Sequence, residues 1–179
     1  NDTASKIFDI VENYLNISRI ESGKLDLSPE PTDLTLLIAD MVNLYHPRLL
    51  FDGPPDAFPT VQIDKTYIDR VFVNLITNAM KFSPDTSPVT IHIAVRGKMA
   101  IVSVHDRGPG IPVDEIPYIF ERYRKGSFVK KGTGTGLGLF IVKSIVKAHG
   151  GDVWIEDSSE KGTVFAFSLP LSTPETQES

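Results

Sequence analysis

The chain has 179 residues, 41% hydrophobic and 23% charged, which bounds it to one globular domain with room for an appended element. A net charge of −5 argues against duplex nucleic acid as the main partner, and the absence of cysteine excludes disulfides, thiol nucleophiles and cysteine-ligated zinc. The four histidines, at 46, 92, 105 and 149, have no metal-ligand spacing, and no apolar run reaches the roughly 18 residues of a membrane-spanning helix.

Starting on Asn1, the sequence reads as a fragment of something larger. Residues 1 to about 22 carry Ile7, Ile10, Val11, Tyr14 and Leu15 at three- and four-residue steps, a narrow stripe that predicts an amphipathic helix for a bundle or coiled-coil seam. Ser22-Gly23 ends it, Lys24–Leu27 is extended, and Pro29 and Pro31 rule out helix beyond. Thr32 or Asp33 caps a second helix, with Leu34, Leu37, Ile38, Met41, Val42 and Tyr45 on one face, stopped at His46-Pro47. His46 is read as a terminal cap. Residues 51–60, F-D-G-P-P-D-A-F-P-T, predict a proline-rich loop before a short strand over Val61–Ile63.

Asp64 N-caps a central helix on which Ile68, Val71, Phe72, Leu75, Ile76 and Ala79 recur at helical spacing. At about 100° per residue, Asn74, Asn78 and Lys81 share a second face, with Phe82 beside them. A merely wet face would carry Glu, Lys, Gln or Arg; asparagine competes for backbone hydrogen bonds and disfavours helix, so two of them four apart suggest a task. The period then switches to two. Val89–Val95, a turn at Arg96-Gly97-Lys98 and Met99–Val104 predict a hairpin with His92 exposed. Asp106-Arg107-Gly108-Pro109-Gly110-Ile111-Pro112 leads to a short helix over Val113–Phe120 and a polar stretch, 121–135. Gly136–His149 predicts a helix closed by Gly150-Gly151, with His149 as a cap. Strands over Asp152–Glu156 and Thr163–Leu169 follow, with Trp154 packing, and a polar tail ends the chain. This order predicts an α+β domain, a mixed sheet covered by helices on one face.

Glycine marks where backbone comes close to a ligand. Gly108 and Gly110 follow an Asp at a strand end, and Gly132, Gly134, Gly136 and Gly138 run into a helix behind Arg122, Arg124, Lys125, Lys130 and Lys131. A glycine-rich loop feeding a helix N-terminus is an anion site, so phosphate is the economical ligand. Neither G-x-x-x-x-G-K-[ST] nor G-x-G-x-x-G can be fitted, which excludes the P-loop, the Rossmann loop and the Ser/Thr/Tyr-kinase loop.

Five segments together resemble the sensor histidine kinases. Asn74-x-x-x-Asn78-Ala79-x-Lys81-Phe82-Ser83 is similar to their N box, Asp106-x-Gly108-x-Gly110 to G1, and Ile119-Phe120-Glu121-Arg122-Tyr123 to the F box. Gly134-Thr135-Gly136-Leu137-Gly138-Leu139 is similar to G2, and Gly162-Thr163 to G3. The resemblance implies a Bergerat-type α/β sandwich over 28–171, preceded over 1–27 by the second helix of a dimerisation and phosphoacceptor hairpin with its linker, and followed by a disordered tail over 172–179. It implies Mg²⁺ and ATP as cofactor and substrate. Asn78 would hold the metal with Asn74 in support, Lys81 would pair with phosphate, and Phe82 would pack on adenine. Asp106 would accept from the adenine amino group, with Gly108, Gly110 and Ile111 passing the base. Gly134, Thr135, Gly136, Leu137, Gly138 and Leu139 would line the phosphates, and Thr163 the nucleotide pocket. Residues 112–133 would form a mobile lid, with Arg122 or Arg124 reaching the γ-phosphate.

None of the four histidines has the acidic-basic-proline context of that family's phosphoacceptor. The expected activity is therefore phosphoryl transfer to a histidine on an absent dimerisation helix, for relay to a response-regulator receiver domain. The implied setting is cytoplasmic, alone or as the cytoplasmic part of a membrane-bound sensor, with no nucleic acid and no membrane contact by this segment. Two alternatives stand beside it: a nucleotide-binding regulatory module, and an ATPase of the same fold. Hydrolytic relatives place Glu where Asn74 stands, and an amide cannot take a proton from water.

Overall fold

The computed structural model describes residues 18, 25–54, 57–124 and 135–172; nearly all of the expected first helix, Lys125, Lys130, Lys131, Gly132 and Gly134, and nearly all of the polar tail lie outside them. In chain order the elements are β1 (Glu30–Thr32), α1 (Leu34–Tyr45), β2 (Leu49–Asp52), β3 (Val61–Ile63), α2 (Lys65–Phe82), β4 (Val89–Arg96) and β5 (Met99–His105). A 3₁₀ turn (Ile116–Tyr118), α3 (Gly138–Ala148), β6 (Val153–Ser159) and β7 (Gly162–Pro170) complete them.

Five strands form one mixed sheet in the order β2-β4-β5-β7-β6, with β2 parallel to β4 and the other pairs antiparallel. β1 and β3 pair separately as a short antiparallel ribbon. Alternation sorts the large sheet into two faces. Ile91, Val104 and Phe165 lie in register, as do Ile93, Val102 and Phe167, and these buried rows pack under the helices. Phe72 of α2 meets Phe167 edge-on, with ring centroids 5.6 Å apart at 75°.

The first two helices start where their cap chemistry predicts. Asp33 accepts the Thr35 N–H at 2.7 Å, and Asp64 accepts the Thr66 and Tyr67 N–H groups at 3.0 and 3.4 Å. Along α2, Ile68, Val71, Phe72, Leu75, Ile76 and Ala79 are at most 1% exposed. Burying each of the five larger side chains is worth about 1.5–3 kcal/mol, far more than the few tenths of a kcal/mol that each asparagine costs in helix propensity. The apolar face therefore sets the helix, and the asparagines are carried along.

Three local expectations need correction. The proline-rich loop starts later than its composition suggests, because Phe51 and Asp52 belong to β2. That strand has only four residues and exists by pairing with β4, a contact between distant residues. β2 also changes the reading of His92. Its Nδ1 lies 3.1 Å from Asp52 Oδ2 and its ring is 4.4 Å from that of His105, so it is half-buried and partnered. The helix expected over Val113–Phe120 reduces to the single turn Ile116–Tyr118, since Pro117 lacks the N–H that a longer helix would bond to the Val113 carbonyl. His46 and His149 do occupy the C-cap positions of α1 and α3, and Trp154 is half-buried opposite Ala166.

Burial, with the neighbouring His92, holds the His105 imidazole below its ordinary value of 6.5, against a smaller opposing pull from Glu156. The unfolded chain then takes up this proton first, so the stability present above about pH 6.5 declines as pH falls from there toward the lower folded-state value. Denaturant unfolding of His105→Gln against the wild type should show a shallower acid decline in the variant, the difference staying within the one-proton limit of about 1.4 kcal/mol per pH unit.

Candidate functional site

The second face of α2 carries the polar group that its periodicity predicts. Asn74 donates through Nδ2 to the Arg70 carbonyl at 2.8 Å, which leaves Oδ1 pointing at the start of α3. A Cβ added to Gly138 would stand only 2.8 Å from that Oδ1 and 3.9 Å from Asn78 Nδ2. Glycine is thus what lets α3 begin against the two carboxamides. Asn78 is half-buried, and its side chain makes no hydrogen bond among the described residues. One turn on, Lys81 is exposed with Nζ 5.2 Å from the centroid of the half-buried Phe82 ring.

Asp106 follows β5 directly. Its Oδ1 accepts from the Gly108 and Thr163 backbone N–H groups at 2.7 and 3.0 Å, so the carboxylate is held rigidly with Oδ2 still available. Burial pushes its carboxyl above the usual range, while these two N–H groups pull the other way. The loop after it is clamped on both sides. The Arg107 N–H donates to Ser83 Oγ at 2.9 Å, at the end of α2, and the Ile111 N–H donates to Ser158 Oγ at 2.7 Å, on β6. Gly110 takes φ +78°, and a Cβ there would collide with the Ser159 carbonyl. Ile111 is buried, and Thr163 is 3% exposed.

The third part is the N-terminus of α3. Leu137, at its N-cap, offers no side-chain acceptor, so among the described residues the first-turn N–H groups have no side-chain cap. Thr135, Gly136 and Leu139 are half-buried and Leu137 is buried. Gly136, at φ +72°, lies against the Arg124 carbonyl, 2.8 Å from where a Cβ would stand. The F-box segment therefore abuts the G2 segment. Arg122 stacks its guanidinium 4.7 Å from the Phe140 centroid, whereas Arg124 lies 5.1 Å from that of Tyr118 and 3.3 Å from Glu121 Oε2. Gly134 lies outside the described residues.

The structure brings Asn74, Asn78, Phe82, Asp106, Gly108, Gly136 and Gly138 into one neighbourhood. A Cβ on Gly108 would sit 3.2 Å from the Phe82 carbonyl, which joins the G1 loop to the end of the N-box helix. Sequence reasoning missed three supporting residues. Ser83 and Ser158 clamp the loop, and Arg48 donates to the Met80 and Pro84 carbonyls at 3.3 and 3.1 Å, closing the C-terminus of α2. Ser83 stood inside a recognised motif, but nothing in local periodicity marks the other two. Among the described residues no three His, Asp or Glu side chains form a metal-binding cluster, and no helix is long and apolar enough to cross a membrane.

Ser83→Ala should leave the part-buried Arg107 N–H without its acceptor. The expected outcome is a loss of about 0.5–1.5 kcal/mol in denaturant unfolding, with faster hydrogen exchange confined to the 106–111 loop.

Residues 63–173 match the family model described as histidine kinase-, DNA gyrase B-, and HSP90-like ATPase. The chain is 41% identical over 180 residues to the sensor histidine kinase WalK of Bacillus subtilis (strain 168), covering 95% of this chain and 29% of that protein. It superimposes on full-length ShkA in complex with AMPPNP with a TM-score of 0.83 at 27% identity, over 96% of this chain and 37% of the other. Against the catalytic domain of histidine kinase ThkA the TM-score is 0.68 at 29% identity, over 80% and 96% of the two chains. The chain spans 12–29% of the length of three curated relatives that it matches. With the five-stranded mixed sheet under its helices, the chain belongs to the histidine kinase-, gyrase B- and HSP90-like ATPase family, as a catalytic, ATP-binding domain of the sensor histidine kinase type.

Proposed function

We propose that this domain binds Mg·ATP between α2, the 106–111 loop and the start of α3, and passes the γ-phosphoryl to a histidine on a dimerisation helix. From there a receiver-domain aspartate of a response regulator takes it. The observation that carries this reading is the meeting of an uncapped helix N-terminus with two carboxamides at Gly138. Unpaired N–H groups and a positive dipole end favour polyphosphate there.

The donor set fits a nucleotide and a hard cation. Asp106 Oδ2, held in place by the bonds to Oδ1, would accept from the adenine N6 amino group; guanine has an acceptor at that position, which a carboxylate rejects. Phe82 would pack on the base, with Ile111 and Thr163 behind it. Asn78, unpartnered among the described residues, offers an amide oxygen suited to Mg²⁺, and Asn74 orients alongside it. Asn78, with Asn74 beside it, would hold the cation, which would supply neutralisation of phosphate charge. Thr135, Gly136, Leu137, Gly138 and Leu139 would present backbone to the phosphates, with Gly134 just before them. Lys81 would pair with phosphate.

In the transfer, an imidazole nitrogen lone pair forms an N–P bond as the P–O bond to ADP breaks, in line. Asn74 cannot act as base toward water, which favours transfer to an imidazole over hydrolysis. Arg122, packed on Phe140 beside the phosphate end, is better placed than Arg124 to steady the transferring charge. A groove of about 910 Å³ beside it, lined by Leu25, Leu27, Phe120, Arg122, Phe140 and Lys143, is the surface we assign to the acceptor-bearing helix. Residues 1–27 are assigned to the second helix of that hairpin and its linker, 28–171 to the catalytic domain and 172–179 to a tail.

Calorimetric titration with ATP should give binding that depends on Mg²⁺ and is lost or greatly weakened in Asn78→Ala. Asp106→Asn should weaken ATP binding at least about tenfold, because an amide N–H₂ then opposes the adenine N–H₂. A wild-type chain without affinity for ATP would sink the reading. With labelled ATP, phosphate should appear on an added polypeptide bearing the acceptor helix and vanish when its histidine is replaced.

A further inference from the structure

His149 is buried, 7% exposed, and belongs to none of the nucleotide motifs. Its Nδ1 lies 2.8 Å from the Ile145 carbonyl, which can only accept, so Nδ1 carries the proton. Nε2 lies 3.0 Å from the backbone nitrogen of Asp64, which can only donate, so Nε2 presents its lone pair. Both partners are backbone atoms, and together they define one neutral tautomer. Asp64 is the N-cap of α2: its Oδ1 takes the Thr66 and Tyr67 N–H groups, and its Oδ2 takes the Ser28 N–H at 3.0 Å.

The bond from Asp64 to His149 ties the first turn of α2 to the last turn of α3. The other end of α3 meets the middle and second half of α2, where Gly138 faces Asn74 and Asn78. The helices are thus joined at two points about 16 Å apart along α3, at 1.5 Å per residue. Apolar packing between helices resists separation but permits sliding by fractions of a turn. A directional bond at one end removes that freedom and sets the register at the other.

We propose that His149 is a positioning residue for phosphate binding: through the Asp64 N–H it sets the axial register of α3 on α2, and hence the seat of the α3 N-terminus against the asparagines. This rests on the nucleotide reading above and deepens it. The adenine end is held separately, by Ser83, Ser158 and Thr163 around Asp106, so a slip of α3 should spare it. Glutamine reproduces the imidazole here, with Oε1 accepting from Asp64 and Nε2 donating to Ile145; leucine fills the space and does neither.

The experiment compares wild type, His149→Gln and His149→Leu by titration with Mg·ATP and with adenosine, under conditions where each is folded. The ratio of ATP to adenosine affinity should fall about tenfold in His149→Leu, the cost of leaving the part-buried Asp64 N–H unpaired, and stay within about twofold in His149→Gln. General destabilisation would lower both ligands together. Nitrogen-15 NMR of the wild type should show His149 protonated at Nδ1 and bare at Nε2, with the Asp64 amide protected from exchange in wild type and glutamine variant but not in the leucine variant. An unchanged ratio in His149→Leu, an equal fall in both variants, or an Nε2-protonated ring overturns the proposal. A wild type that binds no ATP sinks the nucleotide reading and the phosphate role with it, while the exchange data still decide whether the joint exists.

Discussion

The start of α3 lies against the polar face of α2 only because position 138 has no side chain, and the arrangement of the asparagines beside the α3 N-terminus depends on that approach. A methyl group at Gly138 would press on Asn74 Oδ1, and the backbone N–H groups of the first turn would move away from the carboxamides. An uncapped helix N-terminus is ordinarily a cost, since its donors lose water without gaining acceptors. Here the cost is tolerated at a surface where an anionic ligand can supply the acceptors.

Around that contact the molecule separates stability from chemistry. Apolar burial along α2 and under the sheet's inner face sets where the backbone runs. Polar side chains then fix small displacements that burial leaves soft. Arg48 closes the end of α2, Ser83 and Ser158 hold the loop after Asp106, and Asp106 spends one carboxylate oxygen on backbone so that the other is aimed. Asp64 gathers the Ser28 backbone, the cap of α2 and the end of α3 at a single carboxylate and its own N–H.

The arginines illustrate how composition and position differ. Five basic residues precede the glycine run, and as a charge count they point to phosphate without distinguishing among themselves. Stacking on Phe140 brings Arg122 to the first turn of α3, whereas the neighbouring Glu121 and Tyr118 engage Arg124. Two cationic side chains with the same charge and nearly the same place in the chain differ because only one meets a ring on α3.

What the sequence by itself determined was everything carried by local period and local chemistry. The two capped helices, the β4–β5 hairpin, the α+β class and the asparagine face of α2 are all legible, because side-chain spacing of 3.6 or 2 is a property of neighbours in the chain. The glycine segments and Asp106 were legible as motifs for the same reason. The tertiary structure decided what depends on distant partners: β2, four residues long and stabilised by a parallel neighbour some 40 positions away; the half-burial of His92, which follows from that strand; and the roles of Arg48, Ser158 and His149. A hydrogen bond between residues 85 positions apart leaves no mark in either local sequence, since one partner is a backbone N–H that any residue except proline provides.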